Sequence, residues 1–171
     1  SIAYSNDQGR HFEKSYLNPV IKNPGISDFR DPKAFWNPVR RCWSLVLAAQ
    51  DRVFFYASQD MKNWEKTGEF GPEGNHVKGV WECPDLFEID GQQIMTCCPQ
   101  GVDQKGYDYQ NVYQCGYFPV EFDLKNKSYS FGKFQEFDKG FDIYATQTFA
   151  DEAGRRILIG WMGFSDAGYD N

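Results

Sequence analysis

Hydrophobic positions along the chain come in short bursts. The runs CWSLVLAA from Cys42, VFFYAS from Val53, QIMTCC from Gln93, NVYQCGYF from Asn111 and RILIGWM from Arg156 are separated by clusters of Asp, Gly, Asn and Pro. They are rich in β-branched and aromatic residues and too short for helices, so each reads as a β-strand between turns. No stretch sustains apolar residues at helical spacing, which makes a parallel sheet of βαβ units a poor competitor. The pattern predicts an all-β chain.

The polar segments between the runs repeat. SNDQGRHFEK at Ser5 to Lys14 and SQDMKNWEK at Ser58 to Lys66 share Ser, any residue, Asp, a short polar turn, an aromatic and Glu-Lys, at an offset of 52 to 53 residues. A second set opens each unit: RDPKAF at Arg30, ECPDLF at Glu82 and YATQTF at Tyr144, whose closing phenylalanines lie 52 and then 62 residues apart. Several short antiparallel strands repeated every fifty or so residues are the signature of propeller blades. The repeats divide the chain into the end of one blade (1–27), two whole blades (28–80 and 81–140) and the start of another (141–171). A propeller closes with roughly four to eight blades, so these residues do not close a ring by themselves. They read as a fragment of a larger protein or as one copy of an assembly, and exposed blade faces offer surfaces for self-association.

Composition narrows the partners. The formal charge of −6 and pI near 4.9 argue against a nucleic-acid partner. No apolar run approaches the roughly 18 residues of a membrane span. A neutral or weakly charged small substrate fits better. The five cysteines, Cys42, Cys83, Cys97, Cys98 and Cys115, are odd in number and lack CxxC spacing, and only His11 and His76 could join them as ligands. They read as buried free thiols of a reducing compartment, hence a cytoplasmic location, with no metal and no cofactor expected. The chain starts at Ser1-Ile2-Ala3-Tyr4 with neither a start methionine nor a signal sequence, so its natural beginning is expected upstream. Asn126-Lys127-Ser128 matches a glycosylation sequon and reads as an exposed turn.

Repeat alignment sets Arg30-Asp31-Pro32 against Glu82-Cys83-Pro84, placing charged residues where innermost strands begin and converge. Such residues could simply cap exposed backbone. Two carboxylates facing one cavity are also the machinery of glycoside hydrolysis, one protonating the leaving oxygen and the other attacking or activating water.

At these residues the chain resembles a known family. FRDPKAFW and WECPDLF, preceded by IAYSND and NPVI and followed by DIYATQTF and ILIGWMG, look like glycoside hydrolase family 32, the β-fructofuranosidases that include invertases, sucrose-6-phosphate hydrolases, levanases and inulinases. The resemblance implies a five-bladed β-propeller followed by a β-sandwich. About three of the five blades would be present here, without the N-terminal blade or the sandwich. It implies retaining hydrolysis of terminal fructosides, without metal or cofactor. Glu82 then matches the general acid/base, and Asp31 the transition-state stabiliser that binds fructose hydroxyls, with Arg30 beside it. DKGFDIYA resembles the acidic loop, making Asp142 and, after it, Asp138 candidates for sugar binding or for tuning Glu82. Tyr144 and Trp161 are aromatic walls of the sugar pocket or plain core, and Cys83 is counted with the sugar-contact residues.

One departure is large. The family's nucleophile sits in an Asn-Asp-Pro-Asn-Gly motif that these residues lack. Asn6-Asp7 belongs to a repeat turn and Tyr169-Asp170-Asn171 to a chain end. The segment is therefore read as the middle of a β-fructosidase, nearly inactive alone. Rival readings are a family 43-like five-bladed glycosidase, a non-catalytic sugar-binding propeller and a purely structural blade assembly. The sequence does not separate sucrose from sucrose 6-phosphate or a fructan.

Overall fold

The computed structural model describes residues 1–72, 77–123, 128–140 and 142–163. His76, Asn126-Lys127 of the sequon and Tyr169-Asp170-Asn171 lie outside the described residues. Those described form thirteen strands and no helix.

The first pair, β1 (Ala3–Tyr4) and β2 (Glu13–Lys14), brackets the first repeat turn. Next comes a four-stranded antiparallel meander of β3 (Phe29–Asn37), β4 (Cys42–Ala49), β5 (Arg52–Ser58) and β6 (Glu65–Phe70). A second meander follows: β7 (Trp81–Ile89), β8 (Gln92–Pro99), β9 (Gly116–Asp123) and β10 (Ser128–Phe131), with β11 (Gln135–Glu136) also pairing with β9. The last hairpin joins β12 (Tyr144–Ala150) to β13 (Arg156–Trp161). The strand expected from Asn111 begins only at Gly116. Asn111 and Gln114 prefer a buried turn, in which the Gln114 amide donates to the Asn111 carbonyl at 2.8 Å and Gln114 N–H to the Pro99 carbonyl at 2.9 Å.

Strand alternation explains how the sheets stack. Along β4 and β5, Val46, Val53 and Phe55 face the second meander, whereas Leu45, Leu47, Phe54 and Tyr56 face Ile21, Ile26, Phe29 and Trp64. Between the meanders Phe70 stacks on Phe131 with centroids 3.6 Å apart and lies 5.5 Å from fully buried Trp81, which stacks within the second meander on Phe118 at 5.6 Å. Burying such rings contributes about 2–3 kcal/mol each. A third cluster, built on Cys98, Cys115 and Tyr144, joins the second meander to β12. The sheets are thus packed face to face in chain order, while the leading strands touch one another, β3 against β7 and β7 against β12.

The three leading strands share one irregularity. From Arg30 to Lys33 the chain advances three residues while β4 advances two, from Ala48 to Val46. The same bulge separates Glu82 from Asp85 opposite Cys98 and Thr96, and Tyr144 from Gln147 opposite Trp161 and Ile159. At the same place in each bulge stands a left-handed non-glycine residue: Asp31 (φ 56°), Cys83 (φ 51°) and Ala145 (φ 52°). Each such residue costs on the order of 1 kcal/mol. The repeat alignment of RDPKAF, ECPDLF and YATQTF therefore holds residue by residue.

Candidate active site

The bulges aim the first residue of each motif at a common point, and Arg30, Glu82 and Tyr144 meet there. The Arg30 guanidinium donates through Nη2 to Glu82 Oε1 at 2.8 Å and through Nη1 to Asp28. On the other oxygen, Glu82 Oε2 accepts from the Tyr144 hydroxyl at 2.6 Å and from Gln100 Nε2 at 2.6 Å. Three donors from three sheet segments thus fix both oxygens of one carboxylate. A carboxylate held this way has little freedom to rotate.

Gln100 was not among the residues anticipated from sequence. It follows Pro99 at the end of β8, and since Glu82 pairs with Cys98 it emerges two residues beyond the acid's own register partner. Its backbone is fixed as well, Gln100 N–H donating to the Val80 carbonyl at 2.8 Å. Gly79, with φ +93°, allows that approach: a Cβ there would lie 1.6 Å from the Gln100 carbonyl oxygen.

The electrostatics follow from burial and these bonds. Burial works against the Arg30 charge, but its bonds to Glu82 and Asp28 outweigh it, and the guanidinium pKa is raised. Burial, and after it the bond to Glu82, pushes the Tyr144 phenol far above its ordinary 10. Tyr144 therefore stays protonated at any physiological pH. Behind it, the Cys98 thiol donates to Cys115 Sγ at 3.4 Å, and that bond, contact with Cys83 and burial hold Cys98 high and protonated. All five cysteines are free thiols, four of them buried.

The other anticipated residues divide. Asp31 lies next to the cluster, and its Oδ2 accepts the Cys83 N–H at 3.0 Å, so it ties one bulge to the next. Cys83 contributes its backbone, its carbonyl accepting from Gln147 Nε2 at 3.1 Å. Trp161 pairs with Tyr144 across the last hairpin and is 51% exposed, so it is not core among the described residues. Asp138 is exposed and accepts Gly140 N–H at 2.9 Å, an acidic side chain engaged in its own turn. Asp142 is exposed two residues before Tyr144. Among the described residues, no group of three His, Cys, Asp or Glu side chains could hold a metal ion, and no helix is long and apolar enough to cross a membrane.

A carboxylate gripped by donors at the convergence of three leading strands suits proton transfer to a bound ether or acetal oxygen. Known proteins share this framework. Residues 1–171 match the family model for the glycosyl hydrolases family 32 N-terminal domain. The chain is 42% identical over 146 residues to a sucrose-6-phosphate hydrolase of Staphylococcus xylosus, covering 82% of this chain and 29% of the relative. It is 41% identical over 176 residues to a levanase of Bacillus subtilis, covering 95% of this chain and 25% of the relative. Among solved structures, a family 32 β-fructofuranosidase of Bombyx mori superposes with a TM-score of 0.83 at 40% identity, over 96% of this chain and 36% of that one. A mutant of that enzyme, solved in complex with sucrose, gives a TM-score of 0.83 at 39% identity. The chain thus spans about a quarter to a third of the length of these proteins, and its stacked sheets are part of a β-propeller. With the ordered motifs, the shared strand framework and a family match along every residue, the chain belongs to glycoside hydrolase family 32.

Proposed function

We propose that these residues supply the acid/base half of a β-fructofuranosidase active site, and that the full-length gene product releases terminal fructosyl units from sucrose, sucrose 6-phosphate or a fructan with retention. The observation that carries this reading is the convergence of Arg30, Gln100 and Tyr144 on Glu82. In the first step Glu82 passes its proton to the glycosidic oxygen as the C2–O bond breaks, and a nucleophilic carboxylate outside these 171 residues takes the fructosyl carbon. In the second step Glu82, now a carboxylate, takes a proton from the attacking water.

The surroundings suit both states. Arg30 and Gln100 present only donors to the carboxylate, whereas the Tyr144 hydroxyl can turn and accept when Glu82 carries its proton. Asp31, beside Glu82 and anchored through one oxygen, is the proposed partner of fructose hydroxyls and of the positive charge that develops on the ring. Arg30 orients Glu82. Asp142 and Trp161, exposed next to Tyr144, are proposed to line the sugar pocket, with Asp138 more remote. Cys83 acts in this reading through its backbone.

The test is hydrolysis of sucrose by the full-length product and by its Glu82→Gln variant. Loss of general acid/base catalysis is expected to cost about 10²- to 10⁴-fold in kcat. The 171 residues alone, which carry no Asn-Asp-Pro-Asn-Gly motif, are expected to release no fructose above that variant's rate. A Glu82→Gln variant as active as wild type would sink the assignment. Sugar binding without turnover by the wild-type product would favour a non-catalytic propeller instead.

A further inference from the structure

One layer beneath Glu82 the fourth residues of the three motifs also meet: Lys33, Asp85 and Gln147. Asp85 is 1% exposed, and its Oδ2 accepts Thr148 N–H at 2.8 Å and the Thr148 hydroxyl at 2.7 Å, with Lys33 Nζ 3.6 Å away. Lys33 Nζ also donates to the Thr148 carbonyl at 2.8 Å and to Gln147 Oε1 at 3.2 Å. Gln147 in turn donates through Nε2 to the Cys83 carbonyl at 3.1 Å. Residues 114 positions apart in sequence are thus linked to the residue that follows Glu82.

The direction of these bonds matters. An ammonium group can only donate, so Lys33 requires the amide oxygen of Gln147 to face it and leaves the amide nitrogen for Cys83. Cys83 is the left-handed residue of the bulge, a conformation that persists only where its surroundings over-determine it. Its N–H is held by Asp31 from one side and its carbonyl by Gln147 from the other. For holding sheets together alone, a buried ion pair has no advantage over apolar packing of the same volume. What the polar layer adds is a fixed orientation at one residue, Cys83, through the peptide on its C-terminal side.

We propose that Lys33, Asp85 and Gln147 form a positioning clamp, in which Asp85 and Thr148 hold Lys33, Lys33 orients Gln147, and Gln147 locks the Cys83 bulge that aims Glu82 at the leaving oxygen. This rests on the reading of Glu82 as acid/base. The clamp is specific to proton delivery. Its loss should slow the first step where the leaving group needs a proton and spare that step where it does not, while the water step, which Glu82 serves as base, is common to both.

The test uses the full-length product with two substrates, sucrose and β-fructosyl fluoride, whose fluoride departs without general-acid help. Gln147→Glu can still pair with Lys33 but loses the donor to Cys83. It is expected to lower kcat/KM on sucrose at least tenfold, while kcat/KM on the fluoride, which reports the step up to departure of the leaving group, falls less than threefold. Lys33→Met should shift in the same direction, and Lys33→Arg, still a pure donor, should restore part of the loss. Glu82→Gln supplies the reference pattern. Equal losses on both substrates, or none on either, in a Gln147→Glu protein of unchanged melting temperature would overturn the clamp. Should that variant fail to fold, Gln147→Met gives the same comparison. If Glu82→Gln itself turns over sucrose normally, the acid/base reading falls first and the clamp with it.

Discussion

The outer turns and the axial strand openings are both repeated along this chain, yet the repeats are kept in different ways. In the turns, Ser58 and Asp60 spend their side chains on their own backbone: Asp60 Oδ1 accepts Lys62 N–H and Asn63 N–H, both at 2.8 Å. Ser5 and Asp7 do the same, and the residues after the aspartates, Gln8 and Met61, share φ 61°. At the axis the partners lie 52, 62, 63 or 114 residues away, as in Arg30–Glu82, Glu82–Tyr144, Asp85–Thr148 and Lys33–Gln147. A local bond needs the same residue types in every copy. A bond between copies needs complementary ones, so Arg, Glu and Tyr occupy one structural position, and Lys, Asp and Gln another. Identity is retained where a unit satisfies itself, and diversity appears where units must recognise one another.

That contrast can be broken at its axial side first. Asp85→Ala in the full-length product leaves the Thr148 N–H and Lys33 without their buried acceptor and is expected to cost about 3 kcal/mol in denaturant unfolding. The effects of Asp85→Ala and Lys33→Met should fall short of their sum when combined, whereas Asp7→Ala and Asp60→Ala, in separate self-contained turns, should add within error. Additivity at both places would erase the distinction.

The two regions also differ in the pH at which they weaken. Tyr144 has a folded pKa above its unfolded value, so its contribution is whole below about pH 10 and is lost as pH rises beyond it. Wild type should therefore lose stability above pH 10 more steeply than Tyr144→Phe, as read from unfolding midpoints. Asp7 is held low, at about 2, by bonds to His11 and then Ser5, and Asp60 is held low by Asn63 and Lys62. Their contributions are present above about pH 4 and lost as pH falls through the folded values. Both turns are exposed, so the shallower acid slope of Asp60→Ala should be the smallest effect of the set. A Tyr144→Phe curve parallel to wild type above pH 10 would remove the phenol from the account.

What the sequence disclosed follows from the same division. The strands of β4, β5, β8 and β13 announced themselves through apolar runs between turn residues, and the turn repeat kept its Ser and Asp because each copy folds by itself. Glu82 and Arg30 were found because Pro32 and Pro84 mark equivalent places in otherwise dissimilar hexapeptides. Gln100 escaped because its contact depends on the β7–β8 register, which no short motif encodes; the available signal was its place just past Cys98. Asp85 and Lys33 stood inside the aligned motifs, but their meaning depends on a third blade lying close enough to bring Gln147 and Thr148 between them. Asp138, an acidic residue near a promising motif, accepts the Gly140 N–H in its own turn, a local bond that the motif alone does not announce.

The left-handed residues Asp31, Cys83 and Ala145 do more than bend their strands. In regular pleating, residues three apart point to opposite faces of a sheet. One surplus residue cancels that inversion, so Arg30 and Lys33, Glu82 and Asp85, and Tyr144 and Gln147 can be stacked on one side. The bulge is a parity switch: pleated regularly with no residue removed, any of the three strands would turn everything downstream of it inside out, whereas deleting its surplus residue would repair the ladder and keep every facing.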